Sequence, residues 1–278
     1  MISMLKYPIV LLRGGGDLAS GVALRLHHVG IKVVVAELAQ PLAVRRTVSF
    51  CEAVYRGEII VEGVTACLVH DRQDLLTPLL QNQIPVLVDP HLEILPFIEN
   101  EYRLVALVDA RMTKHPPEIG VDAASLVIGL GPGFVAGQNC HAAIETNRGH
   151  YLGRVIWQGA PEPNTGIPGA ILRGRPDRVL RAPCDGIITP QAEIGDLVKT
   201  GHILALVEGQ PVLALFDGVL RGMLHGGLEV KNGQKIGDLD PRNDPSLAWT
   251  VSEKALAIGG GVLEALLTPP ESRTLLWN

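Results

Sequence analysis

Long hydrophobic runs are missing from this chain. No apolar stretch approaches the ~18 residues that a membrane-crossing helix needs, so no membrane partner is expected. The opening MISMLKYPIVLL is interrupted by Lys6 and Pro8, does not read as a signal peptide, and leaves a cytoplasmic location as the expectation. Positive charge is in deficit, with 24 Lys and Arg against 29 Asp and Glu and a net charge of -5. That balance gives no global attraction to nucleic acid, and an aromatic content of 4% leaves little surface for stacking bases. Cysteine is scarce and scattered. Cys51, Cys67, Cys140 and Cys184 form no C-x-x-C pair, which argues against a zinc site or a disulfide framework and for reduced thiols.

What is abundant is glycine, 31 residues of it, within a chain of 278 residues that is 47% hydrophobic. That length accommodates two domains. Ile9 to Leu12 form an unbroken apolar run, as expected of a strand buried on both faces of a parallel sheet. Arg13 ends it. Gly14, Gly15 and Gly16 then allow a tight turn whose N–H groups can face an anion, and Asp17, Leu18 and the apolar residues to Leu26 continue as a helix. Ile31 to Ala36 form the next strand, ending on Glu37. Gly14, Gly16 and Ala19 match a dinucleotide fingerprint, with Glu37 about 20 residues on, where an acid can hold a ribose hydroxyl. Asp17 can cap the helix, although its charge would repel a diphosphate unless turned away.

Further strands alternate with helical segments. Ile84 to Val88 precede Asp89, Leu104 to Val108 precede Asp109, and Leu75, Leu76, Leu79 and Leu80 are placed on one helical face. The alternation predicts a Rossmann-like parallel sheet over residues 1–159, with its site along the carboxyl edge, where Arg13, Gly14, Gly15, Gly16, Asp17, Leu18, Glu37 and Asp109 are the candidate cofactor contacts. A second glycine cluster, Gly129, Gly131 and Gly133, reads either as a structural turn or as a second wall of the same crevice. Cys140 and His141 follow it and are the candidates for a soft contact to selenium or molybdenum, against ordinary packing.

Residues 160–169 read as a linker, and a β-rich module is expected over residues 170–278. It contains an internal repeat. Asp185, Gly186, Gly195, Val198, Lys199 and Gly201 recur 32 residues later as Asp217, Gly218, Gly227, Val230, Lys231 and Gly233. Two such copies would bury together what neither buries alone, in a pattern similar to the barrel-sandwich fold of biotinyl and lipoyl domains. The carrier lysine of those domains has no counterpart in Val207 to Ala214, so a docking or shielding role is expected. In the tail, Ser252 is a helix cap, and Gly259, Gly260 and Gly261 imply either a helix break or close backbone packing.

The strings RGGGDLASG, RRTVSFCEAVY, DARM, GLGPGF, ETNRGHYLGRVI, NTGIPG, KIGDLDPR and SEKALAIGGGVLEA together resemble the YqeB family of accessory proteins of selenium-dependent molybdenum hydroxylases. Glu253 and His115 depart from the pattern. The resemblance implies a maturation role, with a molybdenum hydroxylase apoprotein or its cofactor-loading machinery as partner. Three readings follow. The chain binds a nucleotide-bearing ligand such as molybdopterin dinucleotide at the first glycine loop. Alternatively it is an NAD(P)-dependent oxidoreductase binding NAD, or a scaffold without chemistry. A homo-oligomer is compatible with each.

Overall fold

The computed structural model describes residues 7–164 and 178–277. Its larger part is a nine-stranded α/β sheet, mostly parallel, built around β1 (Pro8–Arg13), the apolar run that opens the chain. Successive residues of β1 point to opposite layers. Val10 and Leu12 enter one core with α1 (Asp17–His28), whereas Ile9 and Leu11 enter the other, under α3 (Leu76–Leu80) and α4 (Leu95–Glu101). Burial of both faces is the reason the run carries no alternation.

β1 pairs in parallel with β2 (Lys32–Glu37) on one side and β6 (Arg103–Asp109) on the other. Beyond β2 lie β5 (Ile84–Val88), β4 (Val64–Val69) and β3 (Glu58–Val61). Beyond β6 lie β7 (Val127–Leu130), β8 (Ala142–Ile144) and β9 (Val155–Ile156). The chain therefore winds away from β1 on one side, returns across it, and winds away on the other. The order reverses between β1 and β6, and at such a point open parallel sheets leave a crevice at their carboxyl ends. One expected helix is broken: Arg72–Leu75 is a 3-10 turn before α3, and Leu75 and Leu79 are buried while Leu76 and Leu80 are exposed.

The repeat folds as two four-stranded antiparallel sheets that exchange strands. One contains β11 (Gly186–Pro190), β13 (Ile203–Val207), β14 (Gln210–Leu213) and β16 (Glu229–Val230). The other contains β10 (Val179–Arg181), β12 (Leu197–Val198), β15 (Gly218–Met223) and β17 (Lys235–Asp240). β11 and β15 are equivalent in the two copies, yet β11 pairs with β16 of the second copy and β15 with β12 of the first. The repeated aspartates tie this exchange. Asp217 accepts from the Thr200 amide at 2.9 Å and the Lys199 ammonium at 2.8 Å, and Asp185 accepts from the Asn232 amide at 2.7 Å.

The tail expected to belong with this module lies instead on the sheet. α5 (Glu253–Leu267) is one continuous helix, capped by Ser252 as anticipated, and it contributes Ala255, Ile258, Val262, Ala265 and Leu266 to the core beneath α1. The glycines explain why it fits there. A Cβ on Gly259 would lie 2.6 Å from the Gly21 carbonyl oxygen, and one on Gly261 would overlap the Gly153 carbonyl. Close backbone packing, not a break, is their role. Gly260 is exposed with nothing near its Cβ position, so Gly260→Ala is expected to stabilise the chain by up to about 1 kcal/mol through helix propensity. Gly259→Ala should destabilise it, and urea unfolding of the two variants compares the signs.

Candidate functional site

The first glycine loop sits at the predicted sheet edge, but its amides do not all face outward. The Gly15 N–H donates to Glu37 Oε2 at 2.7 Å, and the Leu38 N–H donates to Oε1 at 2.7 Å. Glu37 thus binds the loop itself, and burial raises its pKa against the pull of those two amides. Gly15 is also covered: a Cβ there would lie 2.9 Å from the Cys51 nitrogen. Gly14 backs onto Arg111 with φ +96, whereas Gly16 has open space. Asp17 is the first residue of α1, not its cap, and both its oxygens accept from Arg45 at 3.2 Å. Its charge is therefore compensated.

The crevice between β1 and β6 is filled by an ion network. Arg13, 6% exposed, lies 3.6 Å from Asp109 and 3.0 Å from Glu118, and donates to the Pro90 carbonyl. Asp109 is gripped by Arg111, with the closest contact at 2.7 Å. The hydrogen bond from Arg111 holds the Glu118 carboxyl at about 2. Arg13 and Asp109, expected to meet ligand, meet each other.

The second glycine cluster is packing. A Cβ on Gly129 would overlap the Phe134 ring, one on Gly131 the Thr146 hydroxyl, and one on Gly133 the His115 carbonyl. The two soft-contact candidates differ in exposure, with Cys140 buried and His141 half-buried. Cys140 is fully buried beside Phe134 and Ala136, and its thiol is pushed up to about 11 by that burial. His141 accepts the Val127 N–H on Nδ1 at 2.9 Å. Among the described residues no group of three His, Cys, Asp or Glu is arranged to hold a metal ion.

What the chain does build is a cavity of about 530 Å³ between the sheet's carboxyl edge and the repeat module. The sheet side contributes Asp17 and Leu18 at the start of α1, Arg45, Met112 and Lys114 after β6, Pro132 after β7, and Thr146, Asn147 and Arg148 after β8. The module contributes Arg178, Arg181, Arg221, Lys235 and Asp238, and the start of α5 contributes Ser252 and Lys254. Eight Lys and Arg side chains line it against three carboxylates, the reverse of the chain's overall balance. α1 begins there without a side-chain cap, so the positive end of its dipole adds to the field.

Several of these cations are fixed in place. Arg45, 5% exposed, also donates to the Leu247 and Thr250 carbonyls at 3.0 and 2.8 Å. Arg221, likewise 5% exposed, lies 3.6 Å from Asp238 and 3.7 Å from Asp240, and its pKa is lowered by burial. Arg178 pairs with Asp238 and Arg148 with Glu253, one of the two departures from the family pattern. The segment after Arg45 holds the module against the sheet. Arg46 Nε donates to the Met223 carbonyl at 2.7 Å, and the buried Glu52 accepts from Arg46, Arg56 and His225.

Sequence reasoning missed this cavity because each contributor is isolated along the chain. The repeat did carry a signal. At the 32-residue offset, Thr189, Ile203 and Leu206 of the first copy become Arg221, Lys235 and Asp238 in the second. These three replacements lie on the face of the module that lines the cavity.

No family model matches the chain. It is 46% identical over 261 residues to "Uncharacterized protein YqeB" of Escherichia coli, covering 94% of this chain and 48% of that protein, so it spans about half the length of that curated relative. Among solved structures, an aspartoacylase family protein from Mesorhizobium loti aligns with a TM-score of 0.28 and 10% identity, over 84% of this chain and 85% of that one; a likeness this distant carries no argument. The sequence match, extending over 94% of the chain, places the molecule, and the chain belongs to the YqeB family.

Proposed function

We propose that this chain is an accessory factor in maturing a selenium-dependent molybdenum hydroxylase and that it holds a phosphate-bearing ligand, such as molybdopterin dinucleotide, in the basic cavity. The observation that carries the binding half of this reading is the concentration of eight cations around about 530 Å³ at the edge where parallel sheets bind ligands. The family resemblance carries the pathway half. The topology supports a Rossmann-like domain, and the exchanged halves support a barrel-sandwich module that serves as the cavity's second wall. Its hairpin between β13 and β14 turns at Glu208 and Gly209, without a lysine to carry a cofactor.

The ligand's phosphates lie against Arg45, Arg221 and the first turn of α1, displaced from the Gly15 amide toward the module. An NAD-dependent oxidoreductase has less support, because Glu37 already binds two backbone amides and is not available to an adenosine ribose. The test is genetic and chemical. In a host that makes a selenium-dependent molybdenum hydroxylase, Arg221→Ala should lower the selenium content and activity of the hydroxylase while leaving its protein level unchanged. Full selenium content in a strain lacking the chain altogether would refute the pathway.

A further inference from the structure

The cavity cations differ in how they are compensated. Arg45 has Asp17, Arg148 has Glu253, Arg178 has Asp238, and Arg181 donates to the Gly233 carbonyl at 2.8 Å. Lys114 stands exposed toward solvent. Lys235 and Lys254 are different. Both line the cavity, and among the described residues neither ammonium has a hydrogen-bond acceptor or a carboxylate within ion-pair distance. Lys235 is exposed where it lines the cavity, and Lys254 is half-buried.

Two unpartnered ammonium groups among six further cations of one cavity repel their neighbours, at a cost to the site. A fold tolerates that cost where a ligand later supplies the missing charge. Burial lowers the pKa of Lys235, aided by Arg178 and Arg221 and opposed by Asp238 and Asp17. Burial also lowers that of Lys254, aided by Arg148 and Lys235 and opposed by Asp17 and Glu145. These charges come from the module, α1 and the end of β8, so three walls of the cavity bear on the pair.

We infer that the cavity is built around a dianionic phosphoryl group seated between Lys235 and Lys254, with Arg221 and the first turn of α1 completing the seat. This rests on the ligand-binding reading above and deepens it by fixing the ligand's charge at that seat. Two unpaired positive charges match two negative ones, carried by a phosphate monoester or by the diphosphate bridge of a dinucleotide. The anion restores charge to both ammoniums, so binding takes up protons at alkaline pH and weakens as pH rises through the lysines' lowered range.

The test is calorimetric titration of the full chain with adenosine, AMP and ADP-ribose, which share a nucleoside and differ in phosphate. AMP or ADP-ribose should bind and adenosine should not; preference for AMP identifies a monoester seat, and preference for ADP-ribose a diphosphate seat. Lys235→Met and Lys254→Met should each weaken binding about tenfold or more, the scale of a lost charge-assisted hydrogen bond, and the double variant should abolish the proton uptake seen between buffers of different ionisation enthalpy. Without ligand, the double variant should melt higher, by about 2–4 °C per relieved kcal/mol. Unchanged ADP-ribose affinity in the double variant, or a lower melting temperature, would overturn the two-lysine seat while leaving the cavity as a binding site. Failure of every anion to bind the wild type would remove both.

Discussion

Gly21→Val is expected to cost about 3 kcal/mol or more, a fall of about 6–12 °C in melting temperature. Gly21 lies in α1, where a Cβ would stand 2.6 Å from the carbonyl carbon, the oxygen and the Cβ of Ala255 in α5. Two of those three atoms are backbone, so no side-chain rotation makes room. The helices must separate, and separation uncovers Ile258, Val262 and Leu266, which are fully buried against the sheet. Gly21→Ala should show the same sign with a smaller loss, since it lacks the branch. A valine variant that melts with the wild type would mean that α5 does not dock on α1.

Glu52→Ala is expected to cost about 3 kcal/mol, the low end for breaking a buried pair, because the carboxylate is buried while its partners are partly exposed. Glu52 is 1% exposed and accepts from Arg46 at 3.2 Å, Arg56 at 2.8 Å and His225 at 2.9 Å. His225 comes from the repeat module and packs against Tyr55, with ring centroids 3.9 Å apart and the rings tilted by 40°. Loss of the carboxylate leaves Arg46 facing His225 at 3.4 Å without an anion between them. The effect should reach the junction first, so limited proteolysis should cut the variant between sheet and module at denaturant concentrations where the wild type resists. Glu52→Met combined with Arg46→Met should cost less than the two single changes added together, because the double change leaves fewer unmatched charges. Strict additivity would show that the two residues do not act as a pair.

The strand, turn and helix from Ile9 to Leu26 were legible because each rests on local chemistry: an apolar run, glycines free of Cβ, and helix-forming residues in series. The 32-residue repeat was legible for a similar reason, since its glycines and aspartates occupy turns whose geometry recurs. The destination of a side chain was not. Glu37 stands at the end of β2 as the fingerprint requires, yet it turns back onto Gly15, and the glycines at 129, 131 and 133 admit Phe134, Thr146 and His115 in place of a ligand. Those outcomes depend on partners far along the chain. The basic cavity is the extreme case, because Arg45, Arg148, Arg221 and Lys254 are brought together only by the docking of the module and α5. The tail's attachment to the sheet was hidden likewise: its triple glycine fits a break or a close helix crossing, and only the facing Gly21 decides.

The exchange of β12 and β16 between the repeat copies has an evolutionary corollary. An ancestor encoding one copy would have offered an unsatisfied edge that a second identical chain could fill, giving a symmetric homodimer before duplication joined the two in a single polypeptide. Fusion would release the copies from identity, and the present chain has Arg221 and Lys235 in one copy where the other has Thr189 and Ile203. An engineered single copy should accordingly self-associate in pairs.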